Sequence, residues 1–363
     1  MAISLGGMKL KQIAQRSFFC LSFAFSIGSI DAAIATPLDI TVMTQNLYIG
    51  ADTLPLLQSP DTATLAAVIQ SIVANNFPAR AGAIANEAVQ AGGPLLIGLQ
   101  EAFLLSSPSG TLDYTQILLD QLASHGLSYQ IAGVYQGLTV SIDGFSSTDR
   151  EVVLARTGVP GFTASGQGVT FQANVPLPPL PPTVVASAST FDRGYVLVNA
   201  TLDGQPFQFV STHLDEFHTI AQPLQAEEIL TKLATTHEPQ LVVGDFNANP
   251  SESTYAEMLA AGFIDTAAVT GAVGPTCCQA ADLNMMSLLH NRFDYVFERD
   301  FSSIDAAFLV GNTPFENMQP LWPSDHAGVV ATVDVPEPST ATILLTGILL
   351  LGIRLLRVRR WVE

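Results

Sequence analysis

Gln240-Leu241-Val242-Val243-Gly244-Asp245-Phe246-Asn247 is the stretch whose reading decides the fold. Leu241, Val242 and Val243 follow one another without polar alternation, which describes a strand covered on both faces, as in layered α/β proteins. The apolar run stops at an Asp and an Asn two positions apart, so an extended chain points both to one face. Gly244 beside them permits a tight turn. A carboxylate with an amide suits contact with metal-bound phosphate or water, the amide adding a donor for a phosphate oxygen. Taken alone, the pair reads as well as an Asx turn that ends the strand.

Five further segments repeat this format. Thr44-Gln45-Asn46 follows the run 39–43, Gln100-Glu101 follows 95–99, and Ser211-Thr212-His213 follows 207–210. Arg292-Phe293-Asp294-Tyr295 opens a short apolar run, and Ser324-Asp325-His326 precedes 328–333. Polar groups at strand ends collect on one rim of a sheet. A rim of Asn46, Glu101, Asp245, Asn247, Asp294 and a His326 next to Asp325 suits a hard metal ion and a phosphate. Singly the members are weak signals. Glu101 alone reads as a solvated strand end, and His213 and Asp294 alone are more often structural. Arg292 could pair with a carboxylate or a phosphate.

Between the strand-like runs, apolar residues recur at helical spacing over 62–73, 79–89, 114–124, 224–234 and 254–261. Residues 194–202 and 207–214 flank Asp203-Gly204, which predicts a hairpin. Strand and helix segments interleave throughout, so the bulk reads as one α/β domain of layered sheets with outer helices. The proline-rich segment 175–182 reads as an extended surface loop. No G-x-S-x-G elbow, Walker loop or H-E-x-x-H occurs.

The two ends differ from the middle. Lys9, Lys11 and Arg16 precede the apolar run 17–30, and Ala33-Ile34-Ala35 supplies a small-x-small cleavage pattern, so residues 1–35 read as a signal peptide. Residues 336–338 read Pro-Glu-Pro, then come an apolar run to Ile353 and four arginines, Arg354, Arg357, Arg359 and Arg360. That run is expected to be a transmembrane helix, marginal in length, with its arginines cytoplasmic. Residues 36–334 carry 7 Lys and Arg against 29 Asp and Glu, a charge near −22. Such a surface repels polyanions at long range, although a bound divalent cation reverses the sign locally. Only Cys277 and Cys278 lie in this middle part, and a bridge between neighbours would be strained, so no disulfide framework is expected.

In this order the segments resemble the endonuclease/exonuclease/phosphatase superfamily, the DNase I-like proteins, from about Ile40 to Val333, with Gly-Asp-Phe-Asn and Ser-Asp-His the most specific parts. The resemblance implies a four-layered α/β sandwich: two mixed β-sheets packed face to face, helices outside, and the site at one end. It implies an essential Mg2+, with Mn2+ as an alternative, contacted by Asn46 and Glu101 with Asp325 nearby. Asp245 would orient or deprotonate the attacking water, and Asn247 would hold a phosphate oxygen. His326 would stabilise the transition state with Asp294 orienting it, and His213 would contact phosphate or assist the leaving group. Arg292 is expected at the substrate. Tyr48 stands where related abasic-site enzymes often carry an acid, and Asp52 is the nearest replacement. The segment 275–279 resembles a loop of bacterial members that shapes the pocket or lies on the surface.

The tail resembles the PEP-CTERM sorting signal of Gram-negative bacteria. That implies a domain at 36–334, a sorting segment at 335–363, an exosortase as partner, transient membrane anchoring, and delivery to the cell surface, matrix or medium. The expected activity is an exported, Mg2+-dependent phosphoesterase, a monomer acting on a phosphodiester or phosphomonoester of DNA, lipid or a small molecule, with an extracellular nuclease among the readings. Sphingomyelinase-like or inositol-phosphate phosphatase activity is an alternative. A non-catalytic surface protein retaining the fold is the alternative from another class.

Overall fold

The computed structural model describes residues 38–336 apart from 59–60, 219, 285 and 316–320. Its centre is the pair of strands Leu38–Asn46 and Gln240–Asp245, one in each of two facing sheets. Leu38–Asn46 runs parallel to Leu96–Gln100 and antiparallel to Gly328–Val335. Gln240–Asp245 runs parallel to Gln205–His213 and antiparallel to Asp294–Arg299. Among the described residues the first sheet has nine strands and the second six.

Period-2 alternation explains why these strands read as continuous apolar runs. Val42 and Val243 point into the core between the sheets, with Leu96, Val153, Phe209 and Val329. Their neighbours Met43 and Val242 point outward and are covered too. Helices Thr62–Ala74, Phe77–Gln90 and Tyr114–Ser124 cover the first sheet through Ile72, Phe77, Ile84, Leu118 and Leu122. Helices Ala221–Leu233 and Ser253–Ala260 cover the second through Ile229, Leu233 and Met258. Both faces of both sheets are therefore apolar, and the result is a four-layered α/β sandwich. The sheets approach closely at Gly98, where a β-carbon would come within 2.7 Å of Ser211 Oγ and 2.8 Å of Val243 Cγ2.

The expected hairpin forms, with Leu202 opposite Gln205 across Asp203-Gly204. Strands that escaped the sequence reading include the hairpin Leu104–Ser107 with Gly110–Asp113, and the strands Phe162–Thr170 and Ser303–Val310. The proline-rich segment is not wholly irregular, since Val175–Pro176 pairs with Thr190–Phe191.

One expectation is overturned. Among the described residues no helix is long and apolar enough to cross a membrane, so the transmembrane helix, the membrane anchoring built on it and the exosortase as partner are withdrawn. The apolar C-terminal run itself, like the signal peptide at 1–35, lies outside the described residues.

Glu87, on the helix Phe77–Gln90, gives this fold a pH-dependent weakness. Burial pushes its carboxyl up to about 8 against the backbone hydrogen bond at Gly311, and one carboxyl oxygen lacks a partner. A raised folded-state pKa means that the folded protein holds a proton the unfolded chain releases near 4.5, so stability falls as pH rises from about 4.5 to 8. Glu87→Gln should match the native protein at pH 4.5 and exceed it by about 5 kcal/mol at pH 8.5. Urea unfolding at the two pH values measures the gap; equal midpoints at pH 8.5 contradict it.

Candidate active site

The strand register brings the polar ends together. Asn46 pairs with Gln100, His213 with Asp245 and Asp245 with Asp294, so four strand ends and one strand start share a rim. The segment leading into Gly328–Val335 returns His326 to the same rim, where its carbonyl accepts from Gln45 Nε2 at 3.2 Å. Ser324 fixes this return by donating to the Asn46 carbonyl at 2.7 Å. Beneath it, Thr44 donates to Gln100 and Gln100 to Ser211, a buried polar bridge between the sheets.

Asp245 is the hub. Its Oδ1 accepts the Asn247 backbone N–H at 2.9 Å, so the Asx turn forms. Its Oδ2 accepts from Asn46 Nδ2 at 3.1 Å and lies 3.5 Å from His213 Nε2 and 3.6 Å from His326 Nε2. Gly244 allows this approach, because its φ is +138° and a β-carbon there would run into the Thr212 carbonyl. The other Asn46 contact goes to Glu101 Oε1 at 3.1 Å, while Glu101 Oε2 accepts from the Ile49 amide at 3.2 Å. Tyr48, Glu101 and Asn247 all have positive φ, 56°, 53° and 48°. Strain of this kind persists only where surrounding structure over-determines it, and it gathers at functional sites.

The two histidines sit in opposite electrostatic settings. Burial opposes charge on His326, yet Asp294, Asp245 and Asp325 outweigh it and hold the ring's pKa well above 6.5. Its Nδ1 lies 2.8 Å from Asp294 Oδ2. His213 is pushed well below 6.5 by burial, then by Arg193 and His326. Arg193 donates to its Nδ1 at 3.0 Å. That bond makes Nδ1 the acceptor and leaves the proton on Nε2, facing Asp245. The surroundings favour the charged form of His326 and the neutral form of His213.

The carboxyls are crowded. Burial, then Asp325 and Asp149, raise Glu101 to about 8. Burial likewise raises Asp245 and Asp325, with His326 opposing in both. Asp294 Oδ1 and Glu151 Oε2 are buried with no partner. The ligand atoms of Asp245, Asp294 and His326 lie within 4.8 Å of one another, and those of Asp149, Glu151 and His213 form a second such group. Oxygen-rich, like-charged and incompletely satisfied, this set fits a hard divalent cation.

Sequence reasoning missed Asp149, Glu151, Arg193 and Glu216. Arg193 pairs with Asp149 at 2.8 Å and Glu216 at 3.4 Å, locking His213 from behind. A signal existed: Asp149 and Glu151 sit two apart in a strand, so both must share a face that a charge would leave only for a polar partner.

Arg292 is a correction. Its guanidinium donates to Asp265 at 2.7 Å and lies over the Tyr295 ring at 4.7 Å, so it props the strand from behind and does not line the cleft. Asp52 caps Leu54 at 2.9 Å and is exposed. The segment 275–279 does border the site. The side chains of Cys277 and Cys278 lie together there, with Cys278 Sγ 3.9 Å from His326 Nε2. Gln279 N–H donates to the Asp325 carbonyl at 2.8 Å and Ala327 N–H to that of Thr276, which seats the His326 segment.

The sequence matches the Endonuclease/Exonuclease/phosphatase family over residues 58–326. No curated protein matches it. Similar solved structures include an endonuclease/exonuclease/phosphatase family protein from Bacteroides thetaiotaomicron, 18% identical with a TM-score of 0.56, covering 83% of this chain and 96% of that one. Another, from Bacteroides vulgatus, is 15% identical with a TM-score of 0.53 and coverage of 82% and 100%. A mannosyl-6-phosphatase from Bacteroides thetaiotaomicron is 17% identical with a TM-score of 0.54 and coverage of 81% and 99%. At these identities the structures show a shared fold. Family match, fold and an acidic, cation-fitting rim agree: the chain belongs to the endonuclease/exonuclease/phosphatase family and is a metal-dependent hydrolase.

Proposed function

We propose that the protein hydrolyses phosphoesters by in-line attack of water, with Asp245 preparing the water between two imidazoles in different protonation states. The observation that carries this reading is Asp245 Oδ2 lying 3.5 Å from His213 Nε2 and 3.6 Å from His326 Nε2, above the Asn46–Glu101 pair. A phosphate held there meets a cationic donor in His326 and a neutral donor in His213. Asp245 accepts the proton of the attacking water, its carboxylate aligned by Asn46 and the Asn247 amide. His326 stabilises charge that grows on the phosphate oxygens, and Asp294 holds the ring in place. His213 Nε2–H, beside Asp245, is placed to donate to a phosphate oxygen, and Asn247 keeps one amide N–H free of its bond to the Leu214 carbonyl. Mg2+, with Mn2+ as substitute, would be held by Glu101, Asn46 and Asp325, and its charge would offset the repulsion between phosphate and hydroxide.

Glu101→Gln keeps the shape and the Asn46 contact but removes the charge. Half-maximal activity should then need about tenfold more Mg2+ or higher. Titrating turnover against Mg2+ measures this, and an unchanged midpoint would place the ion elsewhere.

The catalytic domain is assigned to residues 36–334, acting after export. The basic segment, apolar run and Ala33-Ile34-Ala35 support export. N-terminal sequencing of protein recovered outside the inner membrane should begin at Thr36; retention of Met1 there contradicts the assignment.

A further inference from the structure

The cavity at the rim has two chemistries. It measures about 510 Å3, within the range that encloses a small organic ligand. Glu101, His213, Asp245, Asn247 and His326 form one end. The other end is apolar. Leu138, Val140 and Ile142 line it from one strand, Tyr129–Ile142, at i, i+2 and i+4, the spacing that puts all three on one face. Leu177 and Leu180 line it from the proline-rich segment, and Phe191 meets Phe217 at the mouth with rings 5.2 Å apart.

These walls are anchored. Ile142 and Val184 pack in a small core of their own with Leu65, and Val140, Phe145 and Leu180 join it. The Leu177 N–H donates to the Ser189 carbonyl at 2.9 Å. The cationic side is equally informative. Arg193 is the one Lys or Arg among the lining residues, and Asp149, Glu216 and His213 already engage it. No lining cation is left to track a second phosphate, which is what nucleic-acid affinity requires.

We propose that the apolar end receives the organic group of the phosphoester hydrolysed at the rim, so that the preferred substrates are monomeric phosphoesters carrying an alkyl chain and not nucleic acid. The proposal rests on the phosphoesterase reading for turnover but makes its own binding claim. The polar end fixes one phosphate; the apolar walls then discriminate by the area of the attached group.

The test uses the full chain in Mg2+ with two probe series. Calorimetry with methyl-, butyl- and hexylphosphonate reads binding without turnover. Full burial is worth about fourfold in affinity per methylene, so butyl, three methylenes longer, should bind about sixtyfold tighter than methyl when its chain is fully buried, with a negative heat-capacity change. Methyl, butyl and hexyl p-nitrophenyl phosphates share one leaving group, and kcat/KM should rise along that series in parallel. Leu138→Ser and Leu177→Ser, on separate elements, should each flatten the rise, read as the ratio of hexyl to methyl kcat/KM within each variant.

Flat affinity across the phosphonates overturns the chamber even if the esters are hydrolysed. Chain-length dependence that persists in both variants, or tighter binding of a thymidine oligonucleotide than of hexylphosphonate, also overturns it. Rising affinity with no hydrolysis of any ester supports the chamber and rejects only the phosphoesterase reading.

Discussion

Asp245→Asn is expected to lower kcat by about three orders of magnitude while leaving the fold intact. The amide has the shape of the carboxylate and can still accept the Asn247 N–H through its oxygen. The other atom becomes an NH2 that faces Asn46 Nδ2 at 3.1 Å and two imidazole nitrogens near 3.5 Å. Donors then oppose donors, and no group remains to take the proton of water. Single-turnover kinetics on a p-nitrophenyl phosphodiester, alongside a thermal unfolding curve, separates the two effects. A variant within tenfold of native kcat removes Asp245 from the role of base.

His326→Ala is expected to cost about two to three orders of magnitude, the scale of losing one preorganised donor at a developing oxyanion. Its partner gives a second, pH-resolved readout. Burial works against the charged ring, and Asp294 is the strongest of the groups that reverse this. Asp294→Asn therefore lowers the His326 pKa. Activity requires the protonated ring, so the alkaline limb of the kcat profile should move to lower pH, with the plateau at acidic pH less affected. An alkaline limb that stays in place would mean that Asp294 positions the ring without setting its charge.

The central strands were legible because their chemistry is local. Leu241–Val243 and Leu95–Leu99 are apolar on both faces, which only a strand buried between layers requires, and the helix Tyr114–Ser124 carries its period openly. Phe162–Thr170 was not legible. It contains four small residues and two threonines, is covered on one face alone, and its strand character comes from pairing with Gly194–Leu202. Ser303–Val310 alternates weakly and is an edge strand of its sheet.

The candidate site divides in the same way. Residues at the ends of apolar runs announced themselves, whereas Arg193 precedes its strand and its partners Asp149 and Glu216 lie 44 and 23 positions away. Arg292 shows the converse: a cation at a strand start looks available until the fold supplies Asp265, which no spacing rule connects to it. The place of Cys277 was equally hidden, because its backbone is pinned to Asn291 and His326, far along the chain.

Metal-dependent hydrolysis at this rim has a direct measure. Turnover of bis(p-nitrophenyl) phosphate by the full chain should appear with Mg2+, vanish in EDTA, return when Mg2+ is restored, and fall in both Glu101→Gln and Asp245→Asn. Turnover that survives EDTA, or that both variants retain at the native level, would contradict it.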